Sequence, residues 1–261
     1  NNELSGPLAM LYLYNELSRV KNRKYNYRFV VVPETIGSIT YLATDINATK
    51  DVIGGIVLTC LGGPKENSLS FKLSRRDWLG ESSKIDKLAT HFSNTNRKEF
   101  SIRNFDPTGG SDERQYCSPG INLPIIQAAK TIYGQYDEYH TSLDTKELMD
   151  IKSVEMSALR VFKFLNIFEI MDDVYSSKIT GGEPKLGKYD LYPTLNSPLT
   201  FNNSQDNLND KRSSLELILN ILSLSDGSLN ILEISEKLGQ SILEIIPTIN
   251  LLEGKGLIKK I

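Results

Sequence analysis

Ile56-Val57-Leu58-Thr59-Cys60-Leu61, which ends at Gly62-Gly63, is the run of residues that decides the fold of this chain. A second run, Phe29-Val30-Val31-Val32, ends at Pro33. Uninterrupted β-branched and aromatic residues, without alternating polar side chains, are typical of strands that are buried on both faces. The two runs therefore predict two strands of a parallel sheet.

Helical periodicity surrounds these runs. Apolar residues at helical spacing predict a first helix over residues 6–21, and short helices are predicted over 37–46 and 81–93. A longer helix after Asp144 is predicted from an apolar stripe, which consists of Ile151, Val154, Ala158, Val161, Leu165 and Phe168. Strands that alternate with helices predict an α/β fold with a mostly parallel sheet and helices on both faces.

The carboxyl-terminal part has a different pattern. Three short helical segments are predicted at 215–224, 231–238 and 241–253, and residues 256–261 are predicted to form a β-wing. Three helices followed by a wing indicate a small winged helix-turn-helix domain.

Three parts of the chain are expected from these patterns. Residues 1–176 are predicted to form the α/β domain, and 213–261 the winged helix. Residues 177–212, which include Gly181-Gly182-Glu183-Pro184 and an Asn- and Ser-rich stretch, are predicted to be a partly ordered linker.

The composition is that of a globular protein large enough to bury a core. The chain has 261 residues, of which 39% are hydrophobic and 24% charged, and a formal net charge of -2. This charge gives no reason to expect bulk attraction to nucleic acid or to an anionic membrane, and no apolar run approaches the roughly 20 residues that span a bilayer. Cys60 and Cys117 lie far apart, which disfavours a disulfide framework and predicts a cytoplasmic protein.

The predicted strands indicate where a ligand would bind. In sheets of this kind, ligands bind beyond the carboxyl ends of the strands, which here are followed by Glu34, Thr35 and residues 59–63. Glu34 has an alternative role as a carboxylate that stabilises the start of a helix through the helix dipole.

Two further segments concentrate reactive side chains. The loop Gly110-Ser111-Asp112-Glu113-Arg114-Gln115-Tyr116-Cys117-Ser118-Pro119-Gly120 packs two acids, an arginine, a phenol and a thiol between glycines. His140 lies in Glu138-Tyr139-His140-Thr141-Ser142, and imidazole is a common zinc ligand. The alternative is that His140 caps the following helix and the loop is merely solvated. The other histidine, His91, is expected to lie on the surface or to serve packing.

Four ordered motifs resemble the zinc aminopeptidase superfamily, which uses co-catalytic metals. They are Asn1-Asn2-Glu3-Leu4-Ser5-Gly6, Pro33-Glu34-Thr35-Ile36-Gly37-Ser38, Ser111-Asp112-Glu113 and His140-Thr141-Ser142-Leu143-Asp144-Thr145. The segments 110–120 and 138–142 more closely resemble bacterial aminopeptidase-like proteins of unassigned function that end in a winged helix and are often encoded near polysaccharide-biosynthesis genes. This resemblance implies that a further part, with another metal-binding histidine, precedes Asn1.

The resemblance also implies where metal ligands would stand. Asn1 or Asn2 occupies the position of a bridging aspartate, Thr35 that of a metal-binding carboxylate, and Thr59 that of a third carboxylate, whereas Glu34 keeps the general-base position. Asparagine and threonine cannot supply the negative charge that two zinc ions need. A full dinuclear centre is therefore not expected.

A centre with one zinc ion at most is the remaining expectation. Its ligands would be His140, the upstream histidine, and Asp112 or Glu113. In this arrangement Glu34 would act as general base, and Arg114 or Tyr116 would stabilise a developing oxyanion.

These inferences predict a zinc-dependent, aminopeptidase-like hydrolase that acts on a small peptide or an aminoacyl-type substrate. Two alternatives remain open. One is a metal-free pseudoenzyme that binds a small ligand and acts through its winged helix, and the other is a DNA-binding regulator.

The charge of the winged helix bears on the last alternative. Residues 211–261 carry six basic and six acidic side chains, and the predicted recognition helix, 241–253, has no lysine or arginine and contains Pro247. Duplex binding normally draws on several phosphate-neutralising cations. Nucleic acid is therefore disfavoured, and a protein partner or a second copy of the chain is expected.

Overall fold

The structure is a computed structural model that describes the chain over residues 1–44, 46–192 and 205–261. It divides into two compact units, Asn1–Glu169 and Ile170–Ile261.

The division between the units differs from the predicted domain boundary. The predicted linker begins at residue 177, but a strand over Val174–Ser177 already belongs to the sheet of the second unit, and a helix begins at Gln205. Residues 193–204 of the predicted linker lie outside the described part of the chain.

Helices of the first unit follow the predicted periodicity. The described elements are α1 (Ser5–Arg19), α2 (Ile36–Thr44), a 3₁₀ turn (Ile46–Thr49), α3 (Arg75–Trp78), α4 (Lys84–Thr95), α5 (Glu113–Tyr116) and α6 (Ile151–Ile170). Four of them, α1, α2, α4 and α6, confirm predicted helices to within a few residues. Helix α4 begins with a capping box in which Ser83 and Asp86 satisfy each other's backbone N–H groups.

A four-stranded sheet forms the centre of the first unit. Its strands are β1 (Gly55–Leu58), β2 (Leu69–Lys72), β3 (Phe100–Arg103) and β4 (Ile125–Ala129), in the order β1-β4-β2-β3. The β1–β4 and β2–β3 pairs are parallel and the β2–β4 pair is antiparallel. Every residue of β2 and β4 is buried, so both faces of the sheet are covered. The predicted α/β fold with a mostly parallel sheet is confirmed.

The prediction of a strand at Phe29–Val32 is wrong. Residues 26–33 form neither helix nor strand, and the backbone groups of residues 30–32 make no hydrogen bond with any described residue. The composition of this run is that of a buried strand, but a strand requires a neighbouring backbone, which the run lacks here.

The two faces of β2 organise different parts of the unit. Phe71 packs in an aromatic cluster with Phe100, Phe92 of α4 and Phe164 of α6; its ring centroid lies 4.7 Å from that of Phe164. The next residue, Lys72, points to the opposite face, where its Nζ lies 2.9 Å from Glu113 Oε1 of α5. Strand alternation thus makes one face of β2 an apolar core and the other a buried ionic contact.

The second unit is a winged helix, as predicted. It contains β5 (Val174–Ser177), a 3₁₀ turn (Leu186–Tyr189), α7 (Gln205–Leu224), β6 (Asp226–Asn230), α8 (Ile231–Leu238), α9 (Ile242–Gly254) and β7 (Ile258–Lys260). The strands pair antiparallel in the order β6-β5-β7.

Local sequence signals account for the helix boundaries of this unit. Asn230 with Glu233 and Ser241 with Glu244 form capping boxes at the starts of α8 and α9, and Gly239 ends α8 with a left-handed φ of 64°. These short-range signals explain why the predicted bounds of α8 agree with the structure.

Neither a membrane-spanning helix nor a disulfide is seen among the described residues. Throughout the described ranges, the helices are too short or too polar to cross a membrane. Cys60 and Cys117 are buried free thiols.

Candidate functional site

The amino-terminal segment lies over the turn that follows β1. The Asn1 Oδ1 atom accepts a hydrogen bond from Gly62 N at 2.8 Å, and Ser5 Oγ accepts one from Leu61 N at 2.9 Å while donating to the Asn1 carbonyl. Within the turn, Cys60 has a left-handed φ of 49°. The Asn1 and Asn2 positions therefore lie at the carboxyl end of the sheet, where a site was expected.

Asp144 ties the loop after His140 to this segment. Its two carboxylate oxygens accept hydrogen bonds from the backbone nitrogens of Asn1 and Asn2, at 2.6 and 3.0 Å. Asp144 is thus a structural anchor within the candidate site, a role that the sequence patterns did not indicate.

The 110–116 loop is joined to the segment that contains Glu34. Ser111 Oγ donates to Glu34 Oε1. Asp112 Oδ1 accepts from Thr35 N at 2.7 Å and from Ser38 Oγ at 2.8 Å, and Thr35 has a left-handed φ of 61°. Asp112 therefore holds the turn that presents Glu34, as an Asx-type acceptor of backbone N–H groups does.

Glu113, in contrast to Glu34, is completely buried. Besides Lys72, it accepts hydrogen bonds from Gln127 Nε2 at 3.1 Å and Ser111 N at 3.0 Å. Lys72 is only 1% exposed and also donates to the carbonyls of Asp106 and Gly109. Both oxygens of Glu113 are therefore occupied by contacts that anchor the loop.

Arg114 and Tyr116 leave the loop in different directions. Arg114 Nη1 donates to the Pro107 carbonyl at 3.2 Å. Tyr116 packs against an apolar cluster that contains Phe105 and Ile125. Burial, with the Asp112 carboxylate nearby, raises the pKa of Tyr116 to about 12, which keeps its hydroxyl protonated as a donor.

A cavity of about 960 Å³ is lined by some of the predicted site residues and not by others. Glu34, Asp112 and Tyr116 line it together with Asn2 and Thr59. The other predicted residues, Glu113, Arg114 and His140, are not part of its lining.

His140 lies on the surface beside a group of tyrosines. It is exposed, has a left-handed φ of 56°, and its ring stacks on that of Tyr139 with 3.9 Å between centroids. The Tyr139 ring also contacts Tyr133 and Tyr136. His91, by contrast, is buried in α4, and burial lowers its pKa.

The described residues do not form a complete zinc site by themselves. Within residues 1–44, 46–192 and 205–261, there is no group of three or more His, Cys, Asp and Glu side chains that could hold a metal. The predicted set is not assembled: Glu113 is committed to Lys72, Asp112 to Thr35, and His140 stacks on Tyr139. Zinc needs several convergent charged or imidazole donors, and the described residues by themselves supply no such group.

Lys130 is a buried cation at the same edge of the sheet that sequence reasoning missed. It follows β4 and is 3% exposed, and its Nζ donates to Ser153 Oγ at 2.6 Å. Burial, with Arg160 nearby, lowers the pKa of Lys130 to about 8. Recognition of Ile125–Ala129 as a strand would have placed this residue at the carboxyl edge.

Together, the sheet, the start of α1 over the end of β1 and the site at the carboxyl edge define an aminopeptidase-like α/β domain that is followed by a winged helix. The chain belongs to the family of the domain of unknown function DUF4910, whose model matches residues 1–171. Residues 173–260 match a winged helix-turn-helix model. The resemblance inferred from the four motifs is confirmed.

Relatives from Clostridium acetobutylicum are similar to nearly the whole chain. One, named for polysaccharide biosynthesis and an aminopeptidase-like domain, is 31% identical over 245 residues, which are 94% of this chain and 52% of that protein. A crystal structure from the same organism, provisionally named a peptidase, is 29% identical with a TM-score of 0.80 and is covered to 54%, against 100% of this chain. The chain spans about half the length of these relatives.

The buried Lys72–Glu113 pair yields a prediction on stability. We expect Lys72→Met to lower the free energy of unfolding by about 3–5 kcal/mol, because it leaves a buried carboxylate without its cation. The double variant Lys72→Met/Glu113→Leu should lose less than the sum of the two single losses. Urea unfolding followed by the fluorescence of Trp78, the single tryptophan, measures these changes.

An exposed pair of the same length is the matched control. Lys163 Nζ lies 2.9 Å from Glu99 Oε2, with both side chains about 40% exposed. Lys163→Met should change the unfolding free energy by less than about 1 kcal/mol. Equal losses at Lys72 and Lys163 would contradict the anchoring role of the buried pair.

Lys130 yields a prediction on pH. Since the folded chain releases this proton near pH 8 and the unfolded chain near 10.5, the unfolded state binds more protons between these values. Stability should therefore rise by about 1 kcal/mol between pH 8 and pH 9.5, relative to Lys130→Met. Urea unfolding of both proteins at the two pH values tests this, and parallel pH profiles would refute it.

Proposed function

We propose that the first unit binds a small amine-bearing ligand, such as an aminoacyl group, at the carboxyl edge of its sheet through the chain's own carboxylates. The observation that carries this proposal is the position of Glu34. It lines the cavity, accepts a hydrogen bond from Ser111, and makes no ion pair with any residue that the structure describes.

Electrostatics and shape support a cationic ligand. The cavity lining has four carboxylates and two cations, and the protonated hydroxyl of Tyr116 adds a hydrogen-bond donor; the charged residues are Glu3, Glu34, Asp51, Asp112, Lys24 and Arg28. Apolar walls with a few convergent polar groups are typical of small-molecule sites. An ammonium group at this mouth would find carboxylates, and the ligand's apolar part would find the cavity wall.

Similarity to aminopeptidase-like proteins is consistent with an amine-bearing ligand. Aminopeptidase-like relatives share the scaffold, and the name of one of them joins this domain to polysaccharide biosynthesis. A fold alone does not establish activity, because activity depends on the groups in the site. The described side chains that could bind a metal do not form a zinc site by themselves, so we favour ligand binding over zinc-dependent catalysis.

Hydrolysis remains a second candidate because Glu34 stands at the position that the resemblance assigns to a general base. The described residues contain no group of three or more side chains that could hold a metal, so such an activity would require donors beyond those residues. With such donors present, Glu34 would accept and return a proton at its exposed carboxylate.

Titration calorimetry with leucinamide, in the presence of a chelator, tests the proposed binding. We expect Glu34→Gln to weaken binding at least about tenfold, because the change removes the charge that faces the ammonium group. Glu81→Gln, at an exposed position on another loop, should leave affinity unchanged. N-acetyl-leucinamide, which lacks the amine, should not bind.

Several outcomes decide between the candidates. Equal affinity for leucinamide and its acetylated form would refute the amine site. Stoichiometric zinc that is lost in His140→Ala, together with cleavage of leucinamide that is lost in Glu34→Gln, would establish the hydrolase instead.

The second unit is proposed to bind a protein partner or a second copy. Its helix α9 exposes Glu244, Asn250, Leu251 and Glu253, and has neither lysine nor arginine. Pro247 of α9 is exposed as well, so this surface offers no cation for a phosphate and two exposed apolar side chains for a protein contact.

A mobility-shift titration checks this interpretation. The chain should shift a mixed-sequence 20-base-pair duplex no more than bovine albumin does at 50 mM salt. A shift that weakens steeply with salt and is abolished in Lys259→Gln/Lys260→Gln would show that the wing binds phosphates.

A further inference from the structure

Helix α9 carries an apolar strip on the side that faces solvent. The strip consists of Leu243, Pro247, Leu251 and Gly254, whose spacing of three or four residues places them on one face of the helix. Leu251 is 42% exposed, Pro247 and Gly254 are exposed, and Leu243 is half-buried. The buried residues of α9 lie on the opposite face. The strip is therefore not part of the core of the second unit.

The shape of this strip suits contact with another helix. A Cβ at Gly254 would meet only open space, and the Pro247 ring is compact, so a second backbone can approach the axis of α9 closely. Pro247 also lacks the N–H that the Leu243 carbonyl would accept within the helix, which leaves an acceptor on the same face. The helix that usually enters a duplex groove is thus apolar here and has no cation.

Opposite charges lie at the two ends of the strip. Glu244 and Lys255 are exposed, and neither forms an ion pair with a residue that the structure describes. Glu244 Oε2 accepts from Ser241 N at 3.3 Å, which leaves its other oxygen for a partner. Lys255 continues the helical turn, so the eleven-residue separation corresponds to about three turns, or roughly 16 Å. Both charges therefore lie on the same flank of the strip.

We propose that two copies of this chain associate through α9, with the two helices antiparallel about a twofold axis. In an antiparallel pair the same flanks of both helices face each other, so Glu244 of each copy meets Lys255 of the other. Pro247 of one copy then packs against Leu251 of the other. The antiparallel arrangement also places the amino-terminal end of each helix beside the carboxyl-terminal end of its partner, which the helix dipoles favour.

Self-complementary charge is the reason to name a second copy as the partner. The strip meets its own reversed image with a carboxylate opposite an ammonium group at both ends, as a twofold interface requires. This inference rests on the proposed function of the second unit as a protein-binding module and names its partner. One helix face is small next to the roughly 1,200 Å² of a stable interface, so the dimer should be weak and concentration dependent.

Sedimentation equilibrium of the chain from about 5 to about 500 µM tests the association. We expect Leu251→Glu to weaken dimerisation at least about tenfold, because it places a carboxylate in the apolar contact. Leu219→Glu is the matched control: Leu219 is 38% exposed on α7, away from the strip, and the same change there should leave dimerisation unaltered.

Mixing two charge variants tests the antiparallel arrangement. Glu244→Lys and Lys255→Glu should each dimerise at least about tenfold more weakly alone, because like charges then face each other. An equimolar mixture should recover association, since every contact between the two variants again joins a carboxylate to an ammonium group. Recovery on mixing also separates a lost contact from a folding defect, which mixing does not repair, and far-ultraviolet circular dichroism checks the fold of each variant.

The outcomes separate this inference from the function on which it rests. A chain that stays monomeric at about 500 µM would overturn the self-association, yet a protein partner of another kind would remain compatible with the proposed function. Unchanged dimerisation of Leu251→Glu, or a mixture that associates no better than its components, would overturn it as well. A salt-sensitive duplex shift would instead contradict the proposed function of the unit.

Discussion

The candidate site depends on one buried ion pair. Lys72, in the middle of the sheet, and Glu113, in the 110–116 loop, are both removed from water and satisfy each other, with Gln127 as a further donor. Because a buried carboxylate is costly without its cation, this pair fixes the loop at one position. The fixed loop lets Asp112 hold the Thr35 turn, which in turn presents the Glu34 carboxylate.

Asn1 and Asn2, one of which the aminopeptidase resemblance places at a metal-ligand position, accept hydrogen bonds from within the chain. Asn1 accepts a hydrogen bond from Gly62, and Asn2 accepts a weaker one from the thiol of Cys60 at 3.4 Å. In both contacts the side-chain oxygen accepts the hydrogen bond, a role that an aspartate carboxylate could also fill.

Much of the fold followed from local patterns. Apolar periodicity placed α1, α4, α6 and the helices of the winged helix, and capping residues fixed the ends of α8. Strand β4 was missed because Ile125–Ala129 includes a glutamine and two alanines, which carry little strand signal. The run at 29–32 had the strand signal and lacked a partner, since a strand is a property of two backbones.

The sequence by itself placed residues 59–63 after the carboxyl end of a strand, since the end of an apolar run is a local property. It could not decide the roles of Asp112 and Glu113, which are adjacent and chemically alike. The tertiary structure separated them: Glu113 meets Lys72, 41 positions away, and is buried, whereas Asp112 meets Thr35 at the cavity. Only long-range pairing, through burial and charge neutralisation, selects which carboxylate stays available for a ligand.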